Sequence, residues 1–149
     1  MSQDRESINL DTLEPQQLAQ VKKQLDEELE HLTSSYAQLH AAQNKFRECQ
    51  RCVESRMAST DGAPSNSVLV PLTNSLYVKG EISHGETVLV DVGTGFLIEK
   101  KLKAARDFYD DKTTGLGNNL KELEAIVQRK QANVRAVEEA AQAAQPQEA

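Results

Sequence analysis

The residues best suited to chemistry lie in "VLVDVGTGFLIEK" (88–100), where Asp91 leaves an apolar run and is followed by Gly93-Thr94-Gly95. An acidic residue beside closely spaced glycines is one way to let backbone N–H groups approach a phosphate. A dinucleotide fold, however, needs G-x-G-x-x-G opening a helix. Here the third glycine position is Ile98, and the residues around it alternate like a strand. ATPases whose phosphate turn lies between strands enclose the nucleotide with two large α/β domains, for which 149 residues leave no room. The bland reading fits better: glycines that reach positive φ let one strand reverse into the next.

Cys49-Gln50-Arg51-Cys52 is a C-x-x-C, the spacing of half a zinc site or of a redox pair. It falls in mid-helix, with no second Cys/His pair to complete four ligands, so both thiols are expected to be free. His31, His40 and His84 share no metal-ligand spacing. Acidic runs such as Asp26-Glu27-Glu28 and Asp110-Asp111 read as solvated helix faces, because acid–base catalysis needs a cleft. No catalytic, cofactor-binding or metal-ligating residue is expected, and no cofactor.

The elements that carry these residues are set by a composition poor in core formers. Tryptophan is absent, aromatics make up 4% and 27% of residues are charged. Such a chain folds only if its apolar residues concentrate in narrow stripes. A net charge of −6 lacks the basic face that displaces phosphate counterions, so nucleic acid is not an expected partner. No apolar run approaches membrane length and no basic-then-apolar leader opens the chain, so no membrane partner and a cytoplasmic location are expected.

The stripes are there. Leu18, Leu25, Leu32, Leu39, Phe46 and Val53 recur every seven positions, with Lys22, Leu29, Tyr36, Gln43, Gln50 and Met57 as a second row. Alternating steps of four and three make the seam of a helix packed lengthwise on another. This predicts a helix over about 14–58, roughly 65 Å long at 1.5 Å per residue. "ASTDGAPSNS" (58–67) is a cluster of turn formers that breaks it. The period returns at 101–144 as Leu102, Tyr109, Leu116, Leu123, Lys130, Val137 and Ala144, with Arg106, Thr113, Leu120, Val127, Val134 and Ala141 beside them. Helices of nearly equal length predict an antiparallel coiled-coil hairpin.

Between the helices, residues 68–100 alternate with period two. Val68, Val70 and Leu72 share a face, as do Leu76, Val78 and Ile82, then Val88, Val90 and Val92, then Phe96 and Ile98. Four short strands in two hairpins follow, with turns near 73–75, 83–86 and 93–95. Such an insert cannot bury its own apolar face, and hairpins of this size are marginal alone in water. The fold class is therefore α+β, with an oligomer expected to form through the β segment.

This layout resembles the α-type subunits of the prefoldin family. "LVPLTNSLYVKGEI" (69–82) and "VLVDVGTGFLIEK" (88–100) are similar to that family's hairpin signatures, and "SINLDTLEPQQLAQVKKQLDEELEHL" (7–32) to its first helix. The resemblance covers about residues 8–144. It implies one 1–149 domain and a heterohexamer with one further α-type and four β-type subunits, built on a double β-barrel platform. It also implies ATP-independent capture of unfolded clients, such as actin and tubulin, for delivery to the cytosolic chaperonin. Val68, Val70, Leu72, Leu76, Val78, Val88, Val90, Val92, Phe96 and Ile98 become the expected subunit-assembly residues. Ile8, Leu10, Leu13, Val134 and Val137, near the helix ends, become the candidate client contacts. Residues 1–30, with eight acidic and three basic side chains, make that end acidic. Gly115 and Gly117 in "TTGLGNN" (113–119) suggest a soft joint in the second helix. The competing reading is a structural coiled-coil adaptor, which has no need of a valine-rich β insert.

Overall fold

The computed structural model describes residues 9–61 and 67–144. Helix α1 spans Pro15–Asp61, strands β1 to β4 span Ser67–Pro71, Tyr77–Glu81, Thr87–Asp91 and Leu97–Lys101, and helix α2 spans Leu102–Ala144. The architecture is α+β: two long helices that bracket two β-hairpins in sequence. The start of α1 follows from its first residues. Pro15 occupies the first helical position, where a missing N–H costs nothing. The Glu14 N–H donates to Gln17 Oε1 at 3.1 Å, the return half of a capping box. The helix runs past its expected end near 58 to Asp61, because Ala58-Ser-Thr-Asp holds no glycine or proline. The expected break continues into residues 62–66, which lie outside the described residues.

The described chain divides into two compact units. The first, up to His40 and from Asn118 onward, is a helical pair. Leu18, Leu120 and Val137 are its buried residues. Leu25, Leu29, Leu32, Tyr36 and Leu39 are half-buried, as are Leu123, Val127, Val134 and Ala141. The seam rows read from the periodicity are thus the low-exposure rows here, except that Ala144 is exposed. Lys22 pairs with Glu138 at 2.9 Å and Lys130 pairs with Glu28. As the α1 number rises the α2 number falls, so the helices run antiparallel. Both lysines occupy seam positions, where the apolar stem covers the seam and the ammonium reaches a carboxylate on the facing helix. The Lys130 hydrogen bond holds the Glu28 carboxyl below its ordinary value of 4.5. The Glu138 hydrogen bond holds the Lys22 ammonium above its ordinary 10.5.

The second unit, residues 41–117, carries both hairpins. Its helices are also antiparallel: Gln43 meets Thr113, and the Phe46 and Tyr109 rings lie 6.2 Å apart. The core consists of Val53, Val90, Leu102, Ala105 and Tyr109, bordered by Phe46, Met57, Val88 and Phe108. Hairpin β3–β4 therefore lies with one face on the two helices, and the small Ala105, fully buried, lets Val90 close on them. Leu102 N–H donates to the Glu86 carbonyl at 3.2 Å, tying the loop between the hairpins to the start of α2.

One polar residue is buried in this unit. Gln43 is only 6% exposed, and its Nε2 donates to the Thr113 carbonyl at 3.1 Å. A Cβ built on Gly117 would lie 3.0 Å from that nitrogen, whereas one on Gly115 meets nothing within 4 Å. Helix α2 is continuous through both glycines. Gly117 thus makes room for a buried amide, a packing role that the soft-joint reading did not foresee.

Candidate assembly surface

Both hairpins are antiparallel and short. In β1–β2 the partners are Val68 with Gly80, Leu69 with Lys79, Val70 with Val78 and Pro71 with Tyr77. In β3–β4 they are Val88 with Lys100, Leu89 with Glu99, Val90 with Ile98 and Asp91 with Leu97. The turns form where the alternation stops. In the first, Leu72 N–H donates to the Leu76 carbonyl at 2.8 Å, and Thr73 Oγ1 accepts from Leu76 N–H at 3.1 Å. In the second, Gly93, Thr94 and Gly95 have φ of 110°, 53° and 78°, a left-handed run that glycine tolerates at its two ends while Thr94 occupies the left-handed helical region between them. Asp91 Oδ1 accepts the Gly93 N–H at 2.9 Å, closing an Asx turn. The "DVGTG" run is therefore a strand reversal, and β4 rather than a helix follows it.

The surface these strands present carries exposed apolar side chains on both faces, one face largely apolar and the other mixed with charged residues. In β1–β2 one face carries Val68, Val70 and Val78 and the other Leu69, Pro71 and Tyr77 beside Ser67, Lys79 and Glu81, and the apolar side chains on both are exposed. Leu72 and Leu76 are exposed at the turn. Every residue of β1 and β2 is exposed except Gly80, which is half-buried. In β3–β4, Leu89, Leu97, Ile98, Val92 and Phe96 are exposed. A contiguous apolar area of this kind on a strand pair with open edges is covered in a stable soluble protein by another chain.

The expected assembly residues divide accordingly. Val68, Val70, Leu72, Leu76, Val78, Val92, Phe96 and Ile98 present open apolar surface. Val90 is fully buried in the chain's own core and Val88 is half-buried at its margin, so these two hold the hairpin to the helices. The physical reason is partial cover: Val88 and Val90 share a face with Ile98, Val92 and Phe96, and α1 and α2 cover only the part of that face that carries the two valines. Leu69, Tyr77, Leu89 and Leu97, with 72%, 54%, 67% and 60% exposure, are apolar surface that the one-faced reading missed. A signal was present. β1 and β3 read as nearly unbroken apolar runs, the mark of a strand covered on both sides.

Of the candidate client contacts, Ile8 lies outside the described residues. Leu10, Leu13 and Val134 are half-buried. Val137, at 3% exposure, is a seam residue, its side chain closed into the helical pair and offering no surface. Cys49 and Cys52 are free and exposed. Burial, and then the neighbouring Cys49 thiol, push the Tyr109 phenol up. Among the described residues no group of three or more His, Cys, Asp or Glu side chains could hold a metal ion, and no helix is long and apolar enough to cross a membrane.

Comparison with known proteins gives this geometry a context. The family model described as "Prefoldin subunit" matches residues 25–147. The chain is 41% identical over 140 residues to a probable prefoldin subunit 5 of Schizosaccharomyces pombe, covering 93% of this chain and 89% of that protein. It is 40% identical over 134 residues to prefoldin subunit 5 of Homo sapiens, covering 90% and 85% respectively. Its fold resembles a chain in the cryo-EM structure of filamentous PFD from Methanocaldococcus jannaschii, with a TM-score of 0.61, 18% identity, and coverage of 79% of this chain and 95% of that one.

Proposed function

The chain belongs to the prefoldin subunit family, and on that premise we propose that it is a non-catalytic α-type subunit of a cytoplasmic heterohexameric chaperone. In this reading one further α-type and four β-type subunits complete the particle. Unfolded clients such as actin and tubulin are held by the helical ends and passed to the cytosolic chaperonin without ATP. One observation carries the assembly half of the reading: hairpin β1–β2 leaves apolar side chains exposed on both faces, Val68, Val70 and Val78 on one and Leu69 and Tyr77 on the other. An adaptor that works through its coiled coil alone has no use for such a surface.

The client half rests on the helical ends. Leu10 and Leu13 are half-buried just before α1, and Asp26, Glu27 and Glu30 are exposed further along the same helix. Apolar side chains among carboxylates suit reversible contact with apolar, partly basic segments of an unfolded chain. The test is refolding of denatured actin by dilution, with and without the reconstituted particle and without nucleotide. Light scattering should be suppressed by the wild-type particle and less so when Leu10→Ala and Leu13→Ala are combined, with the hexamer intact. Unchanged suppression by the double variant would remove these residues from client contact. Scattering as high with the wild-type particle as without it would sink the chaperone reading.

A further inference from the structure

We propose that a cationic, aromatic-floored cleft in the hairpin-bearing unit receives an acidic side chain, with an apolar neighbour, from an adjacent subunit of the assembly. The cleft holds about 420 Å³ and lies between α1, the β3–β4 turn and α2. Its floor is Phe46, Phe108 and Tyr109, and Lys45 and Lys112 line its wall. A third lysine stands close by. The Lys100 and Lys112 ammonium groups lie 5.3 and 5.6 Å from the centroid of the same Phe108 ring.

What sets these lysines apart is that they gather at and beside one aromatic-floored cleft. Among the described residues no ion pair involves Lys45, Lys100 or Lys112. The one carboxylate on the cleft, Asp91, is engaged by the Gly93 N–H of its own turn. In a chain of net charge −6, carboxylates are not scarce. Against three ammoniums the cleft itself offers one carboxylate, Asp91, which leaves a local positive potential that a partner's negative charge would offset. Two of them sit on an aromatic face, a weak, non-saturating hold that leaves the ammonium free to donate to a carboxylate.

Two features favour a neighbouring subunit as the occupant. The cleft wall at Val92 and Gly93 continues into exposed Val92 and Phe96, part of the apolar surface that the proposed assembly covers. The apolar floor also asks for more than a charge, and a protein segment with an acidic and an apolar side chain supplies both. Charges at an interface rim choose between partners more than they add affinity. Lys45 and Lys112 would thus help select which subunit sits against this face.

The inference rests on the hexamer reading, and its test separates the two. The complex is reconstituted from wild-type chain and from Lys45→Met/Lys112→Met, with helix content checked by circular dichroism. Assembly is then titrated at low and high salt. Wild type should assemble at least about tenfold more tightly than the variant at low salt, and the gap should close as salt rises. Carbodiimide coupling of the wild-type complex should join Lys45 or Lys112 to an Asp or Glu of another subunit. Equal affinity and salt dependence overturn the cleft inference while the hexamer stands. Cross-links only to this chain, to a client or to nothing do the same. A wild-type chain that forms no hexamer overturns both.

Discussion

Gly115 and Gly117 lie two residues apart in one helix, yet alanine should act oppositely at the two. In an exposed helix interior Gly→Ala gains about 1 kcal/mol, because glycine loses more backbone freedom on folding. At Gly115 a new Cβ meets nothing within 4 Å, so Gly115→Ala should stabilise by roughly that amount. At Gly117 the new Cβ lands 3.0 Å from Gln43 Nε2. The amide must yield by a few tenths of an ångström, and it is buried, with its hydrogen bond to the Thr113 carbonyl already at 3.1 Å. Losing that bond and stranding the donor costs about 1–3 kcal/mol, against the same gain of about 1. Gly117→Ala should therefore range from neutral to about 2 kcal/mol destabilising. Urea unfolding followed by circular dichroism reads the difference directly. Gln43→Ala combined with Gly117→Ala should restore the helix-propensity gain relative to Gln43→Ala alone. Gly117→Ala stabilising as much as Gly115→Ala would mean that the Gln43 amide does not resist the added Cβ.

Three further outcomes separate in-chain packing from assembly and test the ion pairs. Val90→Ala removes two buried methyl groups and should destabilise the isolated chain by about 1.5–3 kcal/mol in the same urea assay. Leu69→Ser, at a side chain 72% exposed, should leave that stability within about 0.5 kcal/mol but weaken assembly in sedimentation; the opposite pattern would reverse the assignment of the two faces. The Glu28 carboxyl is held below 4.5, so its contribution is present above pH 4.5 and lost as pH falls through the lowered value. The Lys22 contribution is full below pH 10.5 and lost as pH rises through its raised value. Thermal melting of Glu28→Gln should thus lose less stability between pH 5 and pH 3 than wild type, and an identical loss would mean that the pair contributes nothing.

Most of the fold was legible because its signals are local. The seven-residue rows from Leu18 to Met57 and from Leu102 to Ala141 name the low-exposure positions of both helices, including the lysines that occupy seam sites. The turns around 72–76, 82–86 and 92–96 are marked by where the alternation stops. What stayed hidden depends on contacts between distant segments. Alternation shows that Val88 and Val90 share a face with Val92, Phe96 and Ile98, but not that α1 and α2 cover only part of it. The glycine at 117 looks like a weakness until Gln43 is seen across from it. Helical i,i+4 spacing sets Lys112 beside Phe108, but only the pairing of the helices brings Lys45 to the same cleft, and only the fold-back of the hairpin brings Lys100 to that ring.

The exposed apolar side chains of the hairpins are there to be covered by other prefoldin subunits. Native mass spectrometry of the chain, mixed with β-type prefoldin subunits and a second α-type subunit, tests this most directly. The expected result is a hexamer that contains this chain and does not form when Leu69, Val70 and Val78 are replaced together by serine. A wild-type chain that stays a well-folded monomer in that mixture would contradict it.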